Sequence, residues 1–179
     1  ITNYKPAFGA AEASVAGVGI VLTAWGGMND PEQDPEGLAF NMYGGEISHL
    51  EAPAVLEPDR EKRGAYDLYT YGTAVTLIGK GVTSQRSYTR PTFNMHGGTI
   101  TENKSNVGYA AGVWSYDGQI NIYDGEISKN VATNKMVDKK GAKKTWVASG
   151  GVYLGGSAVT NYYNLNGVKN KSFNMSGGS

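Results

Sequence analysis

Apolar and polar positions alternate in four short stretches of the chain, and the four stretches are copies of one phrase. They are Phe40-Asn41-Met42-Tyr43-Gly44-Gly45-Glu46-Ile47-Ser48, Phe93-Asn94-Met95-His96-Gly97-Gly98-Thr99-Ile100-Thr101, Ile120-Asn121-Ile122-Tyr123-Asp124-Gly125-Glu126-Ile127-Ser128 and Phe173-Asn174-Met175-Ser176-Gly177-Gly178-Ser179. Phe or Ile, then Met or Ile, falls on one face, and Asn followed by Tyr, His or Ser falls on the other. That is the period of a strand with one buried side. The Gly-Gly or Asp-Gly pair breaks the alternation and supplies the positive φ of a tight bend. After it, Glu-Ile-Ser or Thr-Ile-Thr starts a second short strand with Ile inward.

A third element recurs as Ala16-Gly17-Val18, Thr73-Ala74-Val75, Ala111-Gly112-Val113 and Gly150-Gly151-Val152, each leading into a β-prone run such as Tyr153-Leu154. Four inward columns follow: Ile1, Ile47, Ile100, Ile127; Val18, Val75, Val113, Val152; Phe40, Phe93, Ile120, Phe173; and Met42, Met95, Ile122, Met175. Phe-column and Ile-column residues are always seven apart, while the repeats measure 46, 53, 27 and 53 residues. A constant strand-corner-strand unit with arcs of variable length predicts an all-β parallel β-helix, a solenoid whose loops bulge outward without disturbing the stacked ladder. We expect one segment, with coils at roughly 1–46, 47–99, 100–126 and 127–179, each of three short strands. At roughly 4.8 Å per stacked strand the four coils span about 19 Å.

Composition narrows the function. Sixteen basic and sixteen acidic residues give zero formal charge, so no global field draws nucleic acid. No cysteine is present for a disulfide or thiolate metal site. No run approaches the roughly 18 apolar residues of a membrane span. Glycine, at 26 of 179 residues, suits a corner-rich fold. Placed end to end, Gly177-Gly178-Ser179 and Ile1-Thr2-Asn3 rebuild the repeat phrase. Three readings are open: a piece of a longer β-helix, a subunit stacking head to tail into a fibre, or an arbitrary cut. The first two make further coils or copies of the same solenoid the expected partners at both ends.

The arcs hold the candidate chemistry. Residues 23–38 are acidic and broken by proline, open to a calcium site but read more simply as a solvated loop. Residues 129–146 are basic without the interleaved aromatics of a nucleic-acid surface. Aromatic side chains are the candidate ligand surface. Trp114 and Tyr153 follow the inward Val of neighbouring coils and so point outward, Tyr43, His96 and Tyr123 form a second outward column, and Tyr162 and Tyr163 lie in a later arc. Exposed rings beside amides suit sugars, and they equally suit a ladder that stabilises stacked strands. The Asn41, Asn94, Asn121, Asn174 column is read as an amide ladder. Glu46 and Glu126 share an outward column with Thr99 between them, about 9.6 Å apart. That distance is compatible with an inverting glycosidase, but the pair lacks a cleft. With only His49 and His96 there is little for a His-based site, and no catalytic residue, cofactor or metal is expected. The hydroxyl column Thr2, Ser48, Thr101, Ser128 is a weak candidate for ordering water.

The Gly-Gly-Glu-Ile and Gly-Gly-Thr-Ile phrases with their preceding Phe-Asn-Met resemble the repeats of bacterial right-handed parallel β-helix surface proteins of the pectate-lyase-like superfamily. They are more distantly similar to chlamydial polymorphic membrane proteins. The resemblance covers the strand framework and implies right-handed coiling and an extracellular or cell-surface location. It further implies a non-enzymatic structural or adhesive role as spacer, adhesin shaft or fibre unit, with glycans or a host or cell-surface protein as outside partners. It transfers no catalytic residue, because the calcium-binding Asp cluster and catalytic Arg of the lyases have no matching motif. The competing expectation is a carbohydrate-binding or polysaccharide-processing module.

Overall fold

The computed structural model describes residues 1–2, 14–15, 17–23, 38–52, 69–79, 91–106, 108–116, 118–133, 148–155 and 173–179. Among these the chain is all β, with no helix. In order the strands are β1 (Ser14–Val15), β2 (Ile20–Thr23), β3 (Ala39–Met42), β4 (Glu46–Ser48), β5 (Glu51–Ala52), β6 (Tyr69–Gly72), β7 (Val75–Ile78) and β8 (Thr92–Thr101). There follow β9 (Lys104–Ser105), β10 (Gly108–Ala110), β11 (Val113–Tyr116), β12 (Gln119–Ser128), β13 (Val131–Ala132), β14 (Val152–Gly155) and β15 (Phe173–Met175).

Every strand pair is parallel. Each of four sheets takes its strands in chain order: β3-β8-β12-β15 with β4 also on β8, then β5-β9-β13, β1-β6-β10 and β2-β7-β11-β14. The first three passes of the chain therefore lay strands on all four sheets, and the fourth adds β14 and β15 to two of them. Parallel neighbours need a long crossover between them, and the variable arcs provide it. Three strands per pass were expected, two of which, the Phe and Ile strands, share one sheet; β1-β6-β10 is an additional sheet, and so is β5-β9-β13. Its strands are two residues long, too short to show alternation in the sequence.

Register follows the repeated phrase. Phe40 pairs with Phe93, Phe93 with Ile120 and Ile120 with Phe173, while Met42, Met95, Ile122 and Met175 form the same succession. Ile47 pairs with Ile100 and Ile100 with Ile127. A bridge between Thr2 and Ser48 sets Ile1 beside Ile47. Val75, Val113 and Val152 are in register as well, but their partner below is Ile20 rather than Val18. Gly17-Val18 and Gly19-Ile20 offer the same small-then-branched signal two residues apart. Both choices keep the same face inward, and Val18 remains buried in the core.

The interior is built from these files. Phe93, Met95, Ile100, Ile120, Val75, Leu77 and Val113 are fully buried, and the rings of Phe40 and Phe93 stack at 5.5 Å and 9°. Burial of a large apolar side chain contributes roughly 1.5–3 kcal/mol, so the continuous file is the main source of stability. The outermost members are covered less. Phe40, Ile20, Leu22, Val152, Leu154 and Phe173 are only partly buried, and Met175 is 45% exposed.

The glycine corner differs from the expected break. In the two central passes β8 and β12 run through Gly97-Gly98 and Asp124-Gly125 without ending. The bend is absorbed as register shifts on either side of Asp124. The second glycine has positive φ in all four copies: 84° at Gly45, 91° at Gly98, 106° at Gly125 and 77° at Gly178. A Cβ on Gly98 would stand 2.6 Å from the Gly45 carbonyl oxygen, so close stacking as well as φ requires glycine there.

Candidate functional site

The outward face of the β3-β8-β12-β15 sheet carries two parallel ladders, positioned by the alternation that turns Phe and Met inward. In the amide ladder Asn94 Nδ2 donates to Asn41 Oδ1 at 2.8 Å and Asn121 Nδ2 donates to Asn94 Oδ1 at 2.7 Å. Gln119 Nε2 adds a bond to Asn121 Oδ1 at 3.1 Å, and Asn174 stands in register with Asn121. Two residues further on, His96 is stacked between Tyr43 and Tyr123, with centroids 4.8 and 4.6 Å away and both planes inclined by 11°.

This stacking limits what the rings can bind. Sugar recognition uses the flat face of a ring, and both faces of His96 and one each of Tyr43 and Tyr123 are already covered by neighbouring rings. Ring edges and the outer face of Tyr43, which is 75% exposed, remain open. Tyr123 is followed in the column by Ser176, which has no ring.

Trp114 and Tyr153 occupy a different sheet. They are register partners as expected, yet Trp114 is buried, at 4% exposure. It packs between Tyr109 and Tyr116, at 6.2 and 6.1 Å, and Tyr109 also meets Tyr153 at 5.5 Å. Alternation places a side chain on the outer face of its own sheet but does not reveal what covers that face. The expected ligand aromatics thus fall into two groups on two sheets. Tyr162, Tyr163, residues 24–37 of the acidic arc and residues 134–146 of the basic arc lie outside the described residues.

A third outward column stands where the chain turns from the longest sheet toward β5-β9-β13, and no glycine marks it. His49, Glu102 and Lys129 have φ of 54°, 56° and 53°, unusual for residues with a Cβ. An amide follows Glu102 and Lys129 and bonds across the corner, while Leu50 takes that place after His49. Asn103 Oδ1 accepts from Leu50 N, Asn103 Nδ2 donates to the Ile47 carbonyl and to Asn130 Oδ1, and Asn130 Nδ2 donates to the Ile100 carbonyl. Asn106 Nδ2 donates to Glu51 Oε1 and the Ala52 carbonyl. The readable signal is an Asn three residues after the column Ile, in Ile100-Thr101-Glu102-Asn103 and Ile127-Ser128-Lys129-Asn130.

The same corner holds an ionic chain. His49 Nε2 lies 2.7 Å from Glu102 Oε2, and Lys129 Nζ lies 3.7 Å from Glu102 Oε1. His49 Nδ1 is 3.0 Å from Ser48 Oγ, so hydroxyl, imidazole and carboxylate form a line. Nucleophilic catalysis requires the hydroxyl to reach substrate, and Ser48 is fully buried. The Thr2, Ser48, Thr101, Ser128 column is uneven, with Thr2 exposed, Ser48 buried and Thr101 and Ser128 half-buried. Glu46 and Glu126 flank Thr99 in register and are both exposed on the bend. Among the described residues no group of three or more His, Asp or Glu could hold a metal ion, and no helix is long and apolar enough to cross a membrane.

No family model, curated protein or solved structure matches the chain.

Proposed function

We propose that the chain is a segment of right-handed parallel β-helix acting outside the cell or on its surface as a non-enzymatic structural or adhesive element. In this role it is a spacer, adhesin shaft or fibre unit. The observation that carries the reading is the recurrence of all four sheets in chain order with Phe, Met, Ile and Val columns in register. Such a stack resists bending, because the first three rungs are hydrogen-bonded to one another along four sheets and the fourth is joined along two. It displays its arcs at fixed heights, one pass at a time. The amide ladder, buried at Asn121, and the exposed ionic chain bridge the rungs and, among the described residues, offer no cleft in which substrate would be desolvated. Its partners are further passes or copies of the same stack at the ends, and glycans or a cell-surface protein along the side.

Two measurements test this. Antibodies raised against the purified chain should label intact cells of its source, and labelling that requires permeabilisation overturns the location. Incubation with a panel of cell-wall and host polysaccharides should release no shortened or unsaturated products, and any such release overturns the non-enzymatic assignment.

A carbohydrate-binding role is the second reading, favoured by the open ring face of Tyr43 at the end of the aromatic ladder. On a glycan array, binding that disappears in Tyr43→Ala and persists in Tyr153→Ala supports it. An array without binding rejects it.

A further inference from the structure

We propose that the 179-residue chain associates end to end with a second copy of itself, the edge of β15 that no described strand pairs in one molecule receiving β3 of the next in the register already used inside the molecule. The proposal rests on the stacked-pass reading above and names the partner, the polarity and the register.

Three observations point to this occupant. The first is the character of the edges. Natural sheets protect open edges with charge, proline or bulges. Here β2 (Ile-Val-Leu-Thr) and β3 (Ala-Phe-Asn-Met) at one end, and β14 (Val-Tyr-Leu-Gly) and β15 (Phe-Asn-Met) at the other, contain neither a charged residue nor proline. The inward columns that are sealed at Phe93, Met95, Val75 and Leu77 stay partly open at Ile20, Leu22, Phe173 and Met175.

The second is identity of the triads. Phe40-Asn41-Met42 on one edge and Phe173-Asn174-Met175 on the other are the same three residues. Within the molecule Phe40-Asn41-Met42 already pairs with an identical triad, Phe93-Asn94-Met95, with Phe on Phe and Met on Met. A second copy offers that surface without any repacking, whereas an unrelated strand would have to match two apolar residues and an amide at fixed positions.

The third is the direction of the amide ladder. Each Asn donates to the Asn of the preceding pass, so Asn41 accepts from Asn94 and holds its own Nδ2 toward the open end. An Asn174 carbonyl oxygen from a second copy is the acceptor that continues the series. Head-to-tail stacking joins donor to acceptor, while a head-to-head pair of edges would set two Asn41 donors against each other.

The test uses the whole chain in sedimentation velocity across a concentration series. The weight-average mass should rise from the 19.0 kDa of one chain through successive multiples. Asn41→Asp keeps the acceptor for Asn94 and removes the outward donor. It should move self-association to about tenfold higher concentration while leaving unfolding and circular dichroism unchanged. The chain has no cysteine, so register can be trapped directly. The double variant Tyr43→Cys with Ser176→Cys should oxidise into a ladder of covalent multimers, and each single variant should stop at a dimer. A chain that stays monomeric throughout, with β-rich dichroism and cooperative unfolding, overturns the stacking and leaves the proposed fold standing. A monomer lacking β structure overturns both. Multimers insensitive to Asn41→Asp, without a disulfide ladder, overturn the register and polarity.

Discussion

The central passes, β8 and β12, and the outer passes, β3 and β15, share the same strand phrase and differ in what lies above and below. Phe93 and Ile120 are sealed between neighbours, whereas Phe40 and Phe173 hold the same column with one side open. The hydrophobic pattern thus selects which face a residue occupies, and the number of stacked neighbours decides how much water it loses. Stability in such a stack is a sum of rung-to-rung interfaces, largest where both interfaces exist.

Truncating the shared column separates the two regions most strongly. In urea unfolding, Phe93→Ala should destabilise by about 3–5 kcal/mol, and Phe173→Ala by about half as much or less, because its cavity opens to solvent. Equal losses would show that outer and inner rungs are equivalent.

The glycine corners sharpen the contrast at nearly constant φ. Gly45 and Gly98 have φ of 84° and 91°, but a Cβ meets nothing within 4 Å at Gly45 and meets the Gly45 carbonyl oxygen at Gly98. Thermal unfolding of Gly45→Ala should report the backbone strain alone, about 1–2 kcal/mol. Gly98→Ala should exceed it by at least about 1 kcal/mol, since the passes must move apart.

Polar rungs rank next. Asn103 is buried and bonds three neighbouring segments, so Asn103→Ala should cost about 1–3 kcal/mol in chemical denaturation by stranding the Ile47 carbonyl and the Leu50 amide. The smallest effect belongs to the exposed ionic chain. Glu102→Gln, which breaks contacts to His49 and Lys129, should change stability by less than about 0.5 kcal/mol, and less still in high salt.

Much of the scaffold was legible because the seven-residue interval from Phe to Ile never varies. That interval fixes the register of Phe40, Phe93 and Ile120 and of Ile47, Ile100 and Ile127 without reference to the arcs. What escaped has physical causes. Two-residue strands such as Glu51–Ala52 carry no period. Val18 and Ile20 share a parity, so pattern alone cannot choose between them. Trp114 faces away from its column as alternation requires, but packing by Tyr109 and Tyr116 hides it. The His49, Glu102 and Lys129 corner lacks the glycine that would announce positive φ, and Asn103 and Asn130, which bond across it, follow only Glu102 and Lys129.

The most direct test of the stacked register uses nitroxide labels on Tyr43→Cys and Tyr123→Cys, two exposed sites in a chain without cysteine. Two ladder spacings separate their backbones by about 10 Å. Strong dipolar broadening in the frozen, magnetically diluted protein is the predicted result, and a spectrum equal to the sum of the two singly labelled variants would contradict it.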